Sequence, residues 1–220
     1  MLPSDSRRLA ADARSILACP ASASLVVEGE PNAIEDRLEL CDDGGTPALY
    51  CPPDSPVARA AARRASALLT LTSGLGPRTG PDRADTLTLG GRLQPTHGEA
   101  IVLHLNFVLL ARDDRQHKIS LEDFRSPEHR MNRGHLQRST EHANECHQDE
   151  LRRAVSLGTG TRPTEILGVQ ISRLSPEGVE VQWVDEQGAH QQVLRFPRPA
   201  HDIADLGELL RRGLYAGLRL

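Results

Sequence analysis

The chain has 220 residues, of which 38% are hydrophobic, 25% charged and 3% aromatic, and it carries a formal net charge of −4 at pH 7. That length buries a core without disulfide or metal staples, and the composition lies outside the disordered, collagen-like and membrane classes. A mildly acidic chain with dispersed arginines lacks the basic face that nucleic acid requires, and one Trp, two Tyr and three Phe leave few rings for stacking on single strands.

Lys118 is the only lysine, and all nine histidines fall from His97 onward. No apolar run approaches the roughly 20 residues of a membrane span. Near the N-terminus, Arg7-Arg8 and a later Ala-Ser-Ala resemble parts of a secretion signal. Asp12 and Arg14 interrupt its apolar centre, so the segment is expected to be a helix and the protein cytoplasmic. The four cysteines (Cys19, Cys41, Cys51, Cys146) form no CxxC pair and are expected to be free thiols.

In chain order, Ser4–Leu17 places Leu9, Ala13, Ile16 and Leu17 on one side of a helix that Pro20 stops. Strand-like runs follow at Ala23–Val27, Arg37–Cys41, Ala48–Cys51 and Ala67–Thr72, punctuated by Gly44-Gly45 and Pro52-Pro53. Ser55 and Pro56 predict the cap and first residue of a helix over Val57–Arg64. Gly74–Asp85 reads as a loop. Thr86–Leu93 alternates as a strand, with a bulge or bend expected at Gly90-Gly91. Ile101–Leu110 is the most apolar run, and Asp113-Asp114 turns the chain into a short strand near His117–Ile119. These elements predict a small antiparallel barrel over residues 1–130.

A second domain is expected over residues 131–220. Leu136–Leu157 reads as one long helix ending in GTGTRP. Strands at Ile166–Ser172, Val179–Val184 and Gln191–Phe196 are joined by turns at Ser175–Gly178 and Asp185–Gly188. A last helix, Ile203–Leu214, completes an α-β-β-β-α sandwich, and the fold class is α+β.

The densest chemical segment is EHANECHQDE, residues 141–150. His142 and Cys146 stand one helical turn apart, with His135 two turns before His142, which are zinc-ligand types on one stripe. Without HExxH, a CxxC knuckle or a nameable third and fourth ligand, no metal site is expected. His147 falls between Ala143 and Leu151 on the expected buried face, where a hydrogen-bonded core histidine is the ordinary outcome; Asn144 is expected to do similar work. His104, inside the apolar run, is likewise expected to be buried rather than to face a cleft. No GxSxG elbow, P-loop or GxGxxG with a following acid is present.

The segment from Leu136 to Leu218 resembles a domain of unknown function whose first helix carries the pattern HMNxDH. HANECH supplies His142, Asn144 and His147 of that pattern, with Ala143 in place of Met and Cys146 in place of Asp. LGVQISRLSPEGVEVQW and VLRFPRPAHDIADLGELLRRGL resemble the hairpin and the closing strand, Phe-Pro turn and helix of that family. Such a domain accompanies a pyridoxamine-phosphate-oxidase-like split β-barrel in haem-utilisation proteins and in plant proteins that bind glutamyl-tRNA reductase. ALYCPPDSPVARAAARRASALLTLT and TLTLGGRLQP, followed by AIVLHLNFVLLARDDRQHKISLEDF, resemble that FMN-binding-type barrel.

The resemblance implies a homodimer with a ligand held at its interface. It implies haem bound by a histidine, with His142, Asn144 and His147 as motif positions, and possible haem degradation. Ser55, Arg59 and Arg63 are the positions that would meet an FMN phosphate, while the Gly-Phe-Gly turn of haem-utilisation members is replaced around Gln116–Lys118. Two alternatives accompany the haem reading: a non-catalytic interaction or regulatory protein with a degenerate cofactor site, and an FMN-dependent oxidoreductase. The histidines from His97 to His147 are expected to mark the junction of the two domains.

Overall fold

A computed structural model describes residues 3–31, 34, 39–76, 85–96, 98 and 100–217. The chain divides into two units, Met1–Gly134 and His135–Leu220. Each has its own antiparallel sheet.

In the first unit the elements are α1 (Pro3–Ala18), β1 (Pro20–Val27), β2 (Glu39–Asp43), β3 (Thr46–Tyr50), α2 (Pro56–Ala62), β4 (Ser66–Ser73), β5 (Thr86–Pro95), β6 (Ala100–Arg112), β7 (Arg115–Ile119) and α3 (Leu121–Phe124). A 3₁₀ turn at Pro127–His129 follows. The expected strand at Arg37–Cys41 is displaced to β2, with Arg37 and Leu38 outside the described residues, as are His97 and residues 77–84 of the expected loop. The α2 start follows its sequence signal: Ser55 Oγ accepts from the Ala58 N–H at 3.1 Å, and Pro56 fills a position whose N–H has no helical partner.

The sheet runs β1-β4-β5-β6-β3-β2, with β7 on β6. Strand β6 pairs with β5 along its length, while its start pairs with β3 and its end with β7. One strand thus serves two successive neighbours on one edge, and the sheet curls into a half-barrel. The bend sits at the expected glycines. Gly90 pairs with Phe107 but Gly91 with Leu105, which leaves Asn106 as the extra residue of a bulge. A Cβ on Gly91 would fall 2.0 Å from the His104 carbonyl oxygen, and one on Gly90 would fall 2.1 Å from the Phe107 ring.

The concave face carries Leu69, Leu71, Leu87, Leu89, Leu103, Val108 and Leu110, all fully buried, against Ala13, Ile16 and Leu17 of α1. Each such leucine contributes about 1.5–3 kcal/mol relative to exposure. Within this core α1 also buries Arg14. Its Nε and Nη2 donate to Asp42 Oδ2 at 3.0 and 2.9 Å, and its Nη1 donates to the Phe124 carbonyl at 2.9 Å.

The second unit contains most of α4 (Arg133–Cys146), then α5 (Gln148–Thr159), β8 (Gly168–Ser175), β9 (Gly178–Asp185), β10 (Gly188–Arg195) and α6 (Ile203–Tyr215), in sheet order β10-β9-β8. Val169, Ile171, Val181 and Trp183 are buried on one face, and Leu151, Val155, Leu206 and Leu209 are the buried positions of α5 and α6. The single long helix expected over Leu136–Leu157 is two helices. At His147 the backbone leaves helical geometry (φ −123°, ψ 34°), and α5 restarts beyond it. Beside the break, Gln148 Nε2 donates to the Asn144 carbonyl at 2.8 Å, so a side chain engages a carbonyl near the end of α4. The left-handed Gly160 (φ 79°) closes α5.

Candidate functional site

The break between α4 and α5 decides the fate of the HANECH motif. Asn144 turns inward: its Nδ2 donates to the Ile171 carbonyl at 3.0 Å, and its Oδ1 accepts from the Ile171 N–H at 2.7 Å. Gln148 adds a bond to the Val169 carbonyl at 3.2 Å. Both amides therefore hold β8. The two histidines turn outward. Contrary to the expected buried position, the His147 side chain is 46% exposed, because the kink removes it from the stripe of Ala143 and Leu151. Its ring meets the exposed His142 edge-on, with centroids 5.1 Å apart, and its Nδ1 lies 3.5 Å from Glu150. Cys146 is exposed beside them. Among the described residues no three His, Cys, Asp or Glu side chains are grouped to hold a metal ion.

The phosphate candidates on α2 are occupied by protein partners. Ser55 caps its helix and donates to Cys51 Sγ at 3.1 Å. Arg59 Nη1 donates to the Asp54 carbonyl at 2.6 Å. Arg63 donates to the Glu28 carbonyl at 3.0 Å and to Glu30 Oε1 at 3.1 Å. A carboxylate already facing Arg63 opposes a phosphate there.

The convex face of the half-barrel is more informative. The pairing aligns Val26, Leu68, Gly90 and Phe107 in one row across β1, β4, β5 and β6. Val26 is 50% and Leu68 37% exposed, and the Phe107 ring lies over Gly90. The next row is Ser66, Arg92 and His104, with Arg92 and His104 both exposed. This corrects the expectation that His104 is buried: Leu103 and Leu105 point inward, so His104 between them points out. Glu28 closes this edge. The Ser66 N–H donates to its carboxylate, and hydrogen bonding from the Ser66 side chain first and that N–H second, with weaker attraction from Arg92 and Arg63, holds its pKa below the usual value. On the other side of the apolar row lie Thr70, Thr88, Leu109 and, paired with Leu109, Lys118.

This face joins an exposed apolar floor to an imidazole and a guanidinium. It can take a flat apolar ligand with an acidic edge, the imidazole being free to donate a lone pair. Sequence reasoning missed it because its parts come from four strands. Strict alternation over Ile101–Leu105 was the one signal that put His104 outside.

A concavity of about 530 Å³ lies over the second sheet, where Gln170, Gln182 and Gln191 form a cross-strand amide ladder. His190 also lines this concavity. It stacks on Trp183 and bonds Asp185 at 2.9 Å, which lowers the Asp185 pKa. No helix among the described residues is long and apolar enough to cross a membrane.

No family model and no curated protein matches the chain. Among solved structures, it is similar to a haem-binding protein from Mycobacterium smegmatis at 18% identity and a TM-score of 0.45, covering 92% of this chain and 96% of that one. It is also similar to the protein Atu2129, of unknown function, from Agrobacterium tumefaciens str. C58, at 15% identity and a TM-score of 0.42 over 97% of both chains.

Proposed function

We propose that this protein binds haem on the convex face of its half-barrel, with a second copy of the chain covering the ligand as in a split-barrel homodimer. The observation that carries this reading is the apolar row Val26–Leu68–Phe107 beside the exposed pair Arg92 and His104. Haem needs an apolar surface for its ring, a cation for its carboxylates and an axial donor for iron, and these residues are of those three kinds. Val26, Leu68 and Phe107 would meet the ring, Arg92 the carboxylates and His104 the iron. When bound, the group supplies redox and oxygen chemistry; the chain supplies orientation and exclusion of water. His142 and His147 are the competing imidazole donors, since both are exposed and adjacent.

A second reading is a non-catalytic interaction protein with a degenerate cofactor site. It is favoured by Ser55, Arg59 and Arg63, whose polar groups are already engaged by protein partners. The same engagement weighs against the flavin-dependent alternative.

Titrating haem into the purified protein and recording the Soret band separates these readings. The haem reading expects a saturating shift at one haem per chain, which His104→Ala weakens or relocates and which the pair His142→Ala/His147→Ala leaves in place. Loss in the motif pair alone moves the iron ligand to the second unit. No shift at stoichiometric haem leaves the interaction reading.

A further inference from the structure

The segment that leads out of the first unit is fastened to α1 by one buried cluster. Arg14 is 1% exposed, bonds the Phe124 carbonyl at the end of α3, and stands over the Phe124 ring. The 3₁₀ turn that follows seats His129 close to this guanidinium at 7% exposure. Asn132, equally buried, donates from Nδ2 to the His129 carbonyl at 3.1 Å. Gly134 lies so near α1 that a Cβ there would fall 1.9 Å from the Ser15 carbonyl oxygen.

The surroundings of His129 fix its protonation state. The ring Nε2 is buried with no hydrogen-bond partner among the described residues. Protonation puts an N–H at this buried Nε2 with no acceptor among the described residues, beside a permanent cation. Burial first, and Arg14 second, hold the pKa below the ordinary 6.5, against weaker opposition from Glu128 and Asp123. Asp42 of β2 bonds Arg14 and the Gly45 N–H. Arg7, Glu122, Asp123, Arg125 and Glu128 line a depression that His129 also borders.

We propose that His129 is an acid-sensitive latch, whose protonation releases the stretch from Ser126 to Gly134 from α1 while the half-barrel stays folded. The docked state binds fewer protons than the released state. Its stability is complete above the free-imidazole value and falls as the pH drops below it, until the pKa of the docked form is passed. The latch rests on none of the residues of the proposed haem face.

Hydrogen exchange on the full chain tests it, comparing about pH 7.5 with about pH 5 after correction for intrinsic exchange rates. Amides of residues 126–134 are expected to lose protection by up to about tenfold per pH unit below the free-imidazole value, while β5 and β6 keep theirs. In His129→Gln, which stays neutral, the difference between the two pH values disappears. His129→Phe gives the same result if glutamine perturbs packing. Unchanged protection of residues 126–134 in the unmodified protein at the lower pH overturns the proposal. So does an equal loss in both variants, because the trigger then lies elsewhere.

Discussion

Asn144 holds the backbone of Ile171 with both ends of its amide, giving one hydrogen bond of 3.0 Å and accepting one of 2.7 Å. In Asn144→Ala both groups of Ile171 lose that partner in a partly buried place. The expected cost is about 1–3 kcal/mol, read as a lower midpoint for the second unit in denaturant. Asn144→Asp keeps the acceptor and loses the donor, so it should fall between the two. An alanine variant as stable as the parent would show that the motif asparagine has no clamping role.

The buried pair of Arg14 and Asp42 gives a larger effect in the other unit. Their side chains are 1% and 0% exposed. Arg14→Met strands a carboxylate without its guanidinium and should cost about 3–5 kcal/mol, whereas Arg14→Met with Asp42→Leu should recover much of that loss. Equilibrium unfolding of the two variants measures the difference directly.

The two bend glycines should differ in how they can be rescued. In Gly90→Ala the new methyl meets the Phe107 ring, which is a side chain, and Phe107→Ala should restore stability. In Gly91→Ala the methyl meets the His104 carbonyl, which is backbone and cannot turn away. Each should lower stability by about 1–3 kcal/mol or more, with only the first reversible by a second substitution. Melting curves of the two singles and the double decide it.

An acid-side effect is expected near α6. Arg198 bonds both oxygens of Asp205 at 2.5 and 2.7 Å, and the His201 N–H adds a third bond at 2.9 Å. The arginine bonds first, and that backbone bond second, hold the Asp205 pKa well below the ordinary carboxylate range. The folded state therefore releases this proton more readily than the unfolded one. Stability is complete above about pH 4 and declines as the pH falls further. Asp205→Asn should flatten that part of the stability profile and leave the neutral region unchanged in slope.

Much of the fold is legible from local signals because the turn residues and caps are themselves the physical causes. Ser55-Pro56 starts α2, and both hairpin turns of the second sheet fall at the expected places. The split of α4 from α5 is not legible. HANECHQDEL continues a helical pattern through His147, and the competing force is a tertiary one, the demand of β8 for the amides of Asn144 and Gln148. Facing along β6 is legible only up to Leu105. Beyond it the extra residue Asn106 reverses the alternation, so Phe107 and Leu109 share a face with His104 although their parity differs. The candidate site itself depends on register between four strands, which no single stretch of chain encodes.

The near-absence of lysine has a practical consequence on this face. Lys118 is exposed and sits opposite Leu109, on the same surface as the apolar row. It is also the only side-chain amine in the chain. An amine-directed cross-linker or fluorophore therefore addresses one side-chain position, next to the surface where a second subunit is proposed to lie. Labelling yield at that amine, measured against protein concentration, becomes a footprint of association that needs no mutation at all.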